Sequence, residues 1–143
     1  MTVFFCGTEH ALLSTHDVTG SYVRGNAALE RDAMVNLMLR MVTSPGMGDQ
    51  VANGLNTVVG PTRSIPGCLN FRIYSDNDDP DVVLLLSQWR SEDQLNKYIR
   101  TPDFRRILAM METASKAPDL SVQQISWTKG LDYVREVLEA NIS

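Results

Sequence analysis

The 143-residue chain has no apolar run near the ~20 residues a bilayer-spanning helix requires, so a membrane role is not expected. Basic charge is also short: 13 Lys and Arg stand against 17 Asp and Glu, a net charge of −4. Nothing in that balance holds a phosphate backbone, and nucleic acid is not an expected partner. Cysteine is limited to Cys6 and Cys68, far apart and outside any CxxC, which argues against a redox pair and a thiolate metal site. Val3-Phe4-Phe5-Cys6 has no basic lead and no long apolar stretch behind it, unlike a secretory leader. The expected location is the cytoplasm.

What is present suits one ordinary domain. The chain is 43% apolar and 21% charged, which excludes a collagen, a disordered tail and a mini-protein. Residues 1–32 are rich in Ser, Thr, Gly and Asn, hold both histidines, His10 and His16, and read as an N-terminal extension. A domain follows over residues 33–130, and residues 131–143 form a C-terminal helix.

Within the domain the apolar period switches repeatedly. Met34–Thr43 alternates, with Val35, Leu37, Leu39 and Met41 on one face, and predicts a strand. Ser44-Pro45-Gly46 breaks it. Val51, Leu55, Val58, Val59 and Thr62 have helical spacing within Asp49–Ser64, and Gly60-Pro61 should kink or end that helix. Cys68–Ser75 alternates again through Leu69, Phe71 and Ile73, and Asp81–Arg90 is apolar on both faces. The acidic turn Asp76–Pro80 between them makes a β-hairpin. Ser91-Glu92-Asp93-Gln94 is a capping box for a helix carrying Leu95 and Tyr98. Thr101-Pro102 starts another, with Phe104, Ile107, Leu108 and Met111 as its stripe. Leu120–Lys129 predicts a fourth strand, and Leu131–Ala140 a short amphipathic helix.

The order β-α-β-β-α-β is the ferredoxin-like split βαβ arrangement of an α+β fold, with an antiparallel four-stranded sheet. Its helices cover one face only. The other face, with Met34, Asn36, Met38, Arg40 and Val42, needs its own cover. A second copy packed sheet to sheet supplies that, so a homodimer is expected. The alternative is a monomer in which residues 1–32 and the C-terminal helix cover the face.

Certain segments, in this order and spacing, resemble the antibiotic biosynthesis monooxygenase domain from about Met34 to Lys129. They are Pro45-Gly46, Pro61-Thr62-Arg63-Ser64-Ile65-Pro66-Gly67-Cys68-Leu69, Asp76–Pro80, Gln88-Trp89-Arg90-Ser91-Glu92-Asp93 and Thr101-Pro102-Asp103-Phe104. The resemblance implies a dimeric α+β barrel. It also implies a cofactor-free oxygenase of aromatic quinols, because that chemistry occurs in the family; other members degrade haem. Only Trp89 carries over from the polyketide oxygenases. Their Asn, Tyr and Arg fall here on Leu85, Leu95 and about Ala109. The Asn, Trp and His of the haem degraders fall near Leu39, on Tyr98 and on Leu108. The His that many members hold at Tyr98 is also missing.

The candidate site lies between sheet and helices. Val83, Leu85, Ser87 and Trp89 share a strand face, Leu37 and Leu39 lie on the neighbouring strand, and Leu95, Tyr98, Phe104 and Leu108 face them from the helices. Such an apolar pocket with a few hydroxyl and indole donors suits a flat hydrophobic ligand. Trp89 and Tyr98 are the candidate catalytic residues, and equally good core fillers. Arg40 or Arg72 is a candidate anion stabiliser, and Tyr74 a second proton donor. His10 or His16 is a candidate base if the extension folds over the pocket. No metal or cofactor is expected: Asp76, Asp78 and Asp79 lack the remaining ligands of a calcium loop.

Overall fold

The computed structural model describes residues 33–141. The predicted extension with its two histidines lies outside the described residues. Among the described residues nine elements follow one another: β1 (Val35–Val42), α1 (Gly48–Asn56), α2 (Val59–Arg63), β2 (Cys68–Ser75), β3 (Val82–Trp89), α3 (Glu92–Ile99), α4 (Pro102–Met111), β4 (Asp119–Gln124) and α5 (Leu131–Ala140). The sheet order is β2-β3-β1-β4 and every neighbouring pair is antiparallel, which is the split βαβ topology.

Period two sets the burial of the strands. Val35, Leu37, Leu39 and Met41 of β1, and Val83, Leu85, Ser87 and Trp89 of β3, are buried under the helices. Their neighbours Asn36, Met38, Leu84, Leu86 and Gln88 are only half-buried on the opposite face. β2 departs from the expected pattern. A bulge between Cys68 and Asn70 shifts its register, so Leu69 faces outward and is exposed while Phe71 is fully buried.

The predicted helix over residues 49–64 is two helices. Pro61 has no N–H to give the Thr57 carbonyl, and its ring crowds that carbonyl. The chain breaks at Thr57–Val58, where the Thr57 hydroxyl and amide both bond to the Gly54 carbonyl, at 2.6 and 3.2 Å. Leu55, Val58 and Thr62 still point inward, so the apolar stripe survives the break. The later caps form as read: Ser91 Oγ accepts from the Gln94 amide at 3.3 Å, and Thr101 Oγ1 from the Phe104 amide at 3.4 Å. β4 is shorter than expected. The last pairing with β1 is the Ile125 amide on the Met34 carbonyl, and the strand ends at Gln124.

The turn after β1 is fastened to the start of β3. Gly46 adopts φ +81°, and the Asp81 carboxylate accepts from its amide at 3.0 Å and from the Gly48 amide at 3.1 Å. The backbone of Gly48 approaches Pro80 so closely that a Cβ there would lie 1.8 Å from the Pro80 carbonyl oxygen. Glycine is therefore required at the point where α1 begins.

Candidate functional site

The helices bring two aromatic rings, Tyr98 and Phe104, against Trp89 at the end of β3, and β2 adds Phe71. Tyr98 stacks on Trp89 with 4.8 Å between centroids, and meets Phe104 edge-on at 5.6 Å and Phe71 at 6.0 Å. The sequence suggests these contacts. Ser91 starts α3 and fixes its phase, so Leu95 and Tyr98 face the sheet; Thr101-Pro102 does the same for Phe104 and Ile107.

Each polar atom in this cluster has a partner. The Tyr98 hydroxyl and the Thr62 hydroxyl are 3.0 Å apart. The Trp89 indole N–H donates to Ser87 Oγ at 3.1 Å, and Ser87 Oγ donates to the Leu37 carbonyl at 3.5 Å. Burial raises the Tyr98 hydroxyl pKa to about 12, outweighing the Thr62 bond that lowers it; Asp103 and then Cys68 add smaller upward pushes. The phenol stays neutral at physiological pH and remains able to donate. Burial likewise pushes the Cys68 thiol up, against the opposing effects of the Asn70 backbone and Arg63, so it is not an activated thiolate.

The ten site residues expected from sequence fall into two groups. Trp89, Tyr98, Leu37, Leu39, Val83, Leu85, Ser87, Leu95 and Phe104 are brought together in one buried cluster. Leu108 lies outside that cluster and is exposed. Thr62 was not among the candidates. Its helical spacing with Val58 and Leu55 marks it as inward-facing, and a hydroxyl on an inward face calls for a partner.

Three candidates lie on the wrong face for this site. Arg40, Arg72 and Tyr74 point to the opposite side of the sheet, because each is one residue out of phase with its inward-facing neighbours, buried Leu39 and Phe71 and half-buried Ile73. Arg40 and Tyr74 there line a half-open cavity of about 120 Å³ with Asp76 and Leu84. No carboxylate or imidazole belongs to the buried cluster among the described residues, and no group of three or more His, Cys, Asp or Glu could hold a metal ion there. No helix among them is long and apolar enough to cross a membrane.

Comparison with known proteins matches this geometry to a family. A protein of Synechocystis, itself uncharacterised, is 33% identical over 64 residues; the match covers 45% of this chain and 40% of that relative's length. Among solved structures, a Pseudomonas aeruginosa protein superposes with a TM-score of 0.58 at 21% identity, covering 69% of this chain and 98% of the other. A Mycobacterium tuberculosis protein gives 0.58 at 18% identity, over 69% and 99%. An antibiotic biosynthesis monooxygenase gives 0.57 at 20% identity, over 66% and 99%. These structural likenesses establish the fold. The profile of the antibiotic biosynthesis monooxygenase family matches residues 34–110, more than half of the sequence and all of the aromatic cluster, and the chain belongs to that family.

Proposed function

We propose that the protein is a cofactor-independent monooxygenase acting on a small aromatic or quinol-type substrate between sheet and helices. The observation that carries this reading is the aromatic cluster of Tyr98 stacked on Trp89 and met edge-on by Phe104, with one hydroxyl pair as its polar feature. Aromatic walls bind a flat ring. Either hydroxyl of the Thr62–Tyr98 pair can be the donor. When Thr62 donates to Tyr98, the Tyr98 O–H is released to stabilise an oxyanion on the substrate.

The chemistry belongs to the substrate. A quinol or enol loses its proton to water and becomes a delocalised carbanion. The carbanion passes one electron to O₂, and the radical pair couples to form a C–O bond. The resulting hydroperoxide loses water, so a CH₂ becomes C=O; one oxygen atom enters the product and the other leaves as water. Because the buried cluster holds no carboxylate or imidazole among the described residues, the substrate must be acidic enough to ionise near neutral pH. The protein supplies position and a donor.

A second reading is a non-catalytic binding protein for a small hydrophobic ligand. It is favoured by the Trp89 N–H, whose partner is Ser87 within the protein. In either reading we place the protein in the cytoplasm as a homodimer through sheet-to-sheet packing. Half-buried Met38, Leu84 and Leu86 form the centre of the open sheet face, ringed by Asn36, Arg40, Arg72 and Gln88, an apolar patch with a polar rim. Asn36 Oδ1 is buried without a hydrogen-bond partner, and a donor from a second copy would satisfy it.

Oxygen uptake with a panel of dihydroxy-aromatics tests the activity. Substrate-dependent uptake that falls at least tenfold in Trp89→Phe and Tyr98→Phe, both still folded, supports the oxygenase. Saturable quenching of Trp89 fluorescence with no uptake supports the binding protein. Neither uptake nor quenching would overturn both readings.

A further inference from the structure

We infer that the open sheet face carries a small-molecule site of its own, a trough between Tyr74 and Arg40 that takes an α-amino acid by its zwitterionic head group. Register makes the trough. Tyr74, Leu84, Arg40 and Asp119 stand opposite one another in a single row across β2, β3, β1 and β4. Leu84 is the short member between two long ones. Two strand spacings, about 10 Å, separate the backbones of Tyr74 and Arg40, so their side chains wall a gap with Leu84 as its floor. Val82 extends the floor toward the β2–β3 turn. Asp76, whose amide bonds to the Val82 carbonyl at 3.0 Å, closes that end.

The trough holds one charge of each sign, and the two do not meet. Among the described residues the ion pairs are Asp103–Arg106 and Asp132–Arg135, and the Arg40 guanidinium has no hydrogen bond there either. The Asp76 carboxylate is held by its own turn: Oδ1 accepts from the Asp78 amide at 2.7 Å, which leaves Oδ2 for another donor. A guanidinium and a carboxylate that line one cavity without touching are complemented by a ligand carrying the opposite pair.

The surroundings disfavour simpler ligands. Asp119 lies beyond Arg40, with Lys116 three residues before it, and Arg72 lies two residues along β2 from Tyr74. The turn adds Asp78 and Asp79, while Asp81 is engaged by the Gly46 and Gly48 amides. That balance is acidic, so a carboxylate alone gains little. An amine alone meets Asp76 and the Tyr74 ring but leaves Arg40 without an anion. An α-amino acid answers both, its carboxylate on Arg40 and its ammonium on Asp76. Size agrees. The cavity is half-open and measures about 120 Å³. A cavity of ~150 Å³ holds benzene, so this one encloses about five non-hydrogen atoms, an amino-acid head group. The side chain leaves through the opening. The site does not depend on the oxygen chemistry proposed above, which is assigned to the other face of the sheet.

Amide NMR of the isotope-labelled full-length chain tests it, with L-2-aminobutyrate, butyrate and propylamine as probes. The first is the zwitterion; the others lack its ammonium or its carboxylate. The expected result is saturable shifts at Tyr74, Val82 and Leu84 with aminobutyrate, at a Kd of about 1 mM or lower, and binding of the other two weaker by roughly tenfold or more. Arg40→Gln and Asp76→Asn should each cost roughly tenfold as well. Both variants should fold, since Arg40 is exposed and Asn at position 76 keeps the acceptor for the Asp78 amide. Arg72→Gln should leave binding unchanged. Butyrate or propylamine binding as tightly as aminobutyrate would overturn the inference, and so would the absence of saturable shifts. Shifts seen only in Leu86→Glu would mean that a second copy fills the trough in the natural chain, which overturns it too.

Discussion

Tyr98 and Thr62 meet through their hydroxyls, 3.0 Å apart, in a buried layer where Tyr98 also packs against Trp89, Phe104 and Phe71. Each hydroxyl is the other's solution to burial. Removing one leaves a buried polar group without a partner, which costs about 1–3 kcal/mol; removing both is nearly neutral. Thr62→Val and Tyr98→Phe should each lower stability by that amount, and the double variant should lose less than the sum. Urea denaturation of the four proteins gives the coupling. Purely additive losses would show that the hydroxyls do not depend on each other.

The same burial sets an alkaline limit. The Tyr98 pKa lies at about 12 in the folded chain and near its ordinary 10 when unfolded. Between those values the unfolded chain has lost the phenolic proton and the folded chain keeps it. The stabilisation is therefore complete below pH 10 and declines as pH rises toward 12. Denaturation midpoints across that range should fall more steeply for the natural chain than for Tyr98→Phe. Equal slopes would place the titration elsewhere.

Much of this arrangement is written in the sequence, because local chemistry and tertiary demand agree there. Ser91 and Thr101 mark helix starts that form where expected, and the alternation in β1 and β3 names the buried residues individually. Three features were hidden for physical reasons. The bulge that turns Leu69 outward is a backbone shift with no compositional sign. The Thr62–Tyr98 pair joins residues 36 positions apart, beyond any periodicity. The end of β4 is set by its register against β1, whose first residue, Val35, stands opposite Gln124, and register is a property of the pair.

Gly48 and Gly46 stand two residues apart and should respond differently to alanine. A Cβ at Gly48 would overlap the Pro80 carbonyl oxygen, and the backbone on both sides is held by Asp81. Gly48→Ala must separate the β1 turn from β3, with a loss of about 3 kcal/mol or more, at the upper end for a single substitution. A Cβ at Gly46 meets nothing within 4 Å, so only its φ of +81° is penalised. Gly46→Ala should cost about 1–2 kcal/mol. Thermal melts of the two variants rank them, and a milder Gly48→Ala would mean that the Pro80 turn yields.

The open sheet face yields a sharper test of the expected dimer than any helix does. Leu86 stands opposite Met38 on one side and Arg72 on the other, at the middle of the face, and only half of it is covered in a single chain. A carboxylate there would remain hydrated in a monomer, at little cost to folding. In a sheet-to-sheet dimer it would be pressed close to its own symmetry mate, and a buried like-charged pair is strongly unfavourable. Leu86→Glu should thus convert the dimer to a folded monomer in sedimentation velocity, with its circular dichroism unchanged. Leu86→Gln should weaken the dimer less, since it adds polarity without charge. A Leu86→Glu protein that sediments as a dimer would exclude this face as the contact between copies.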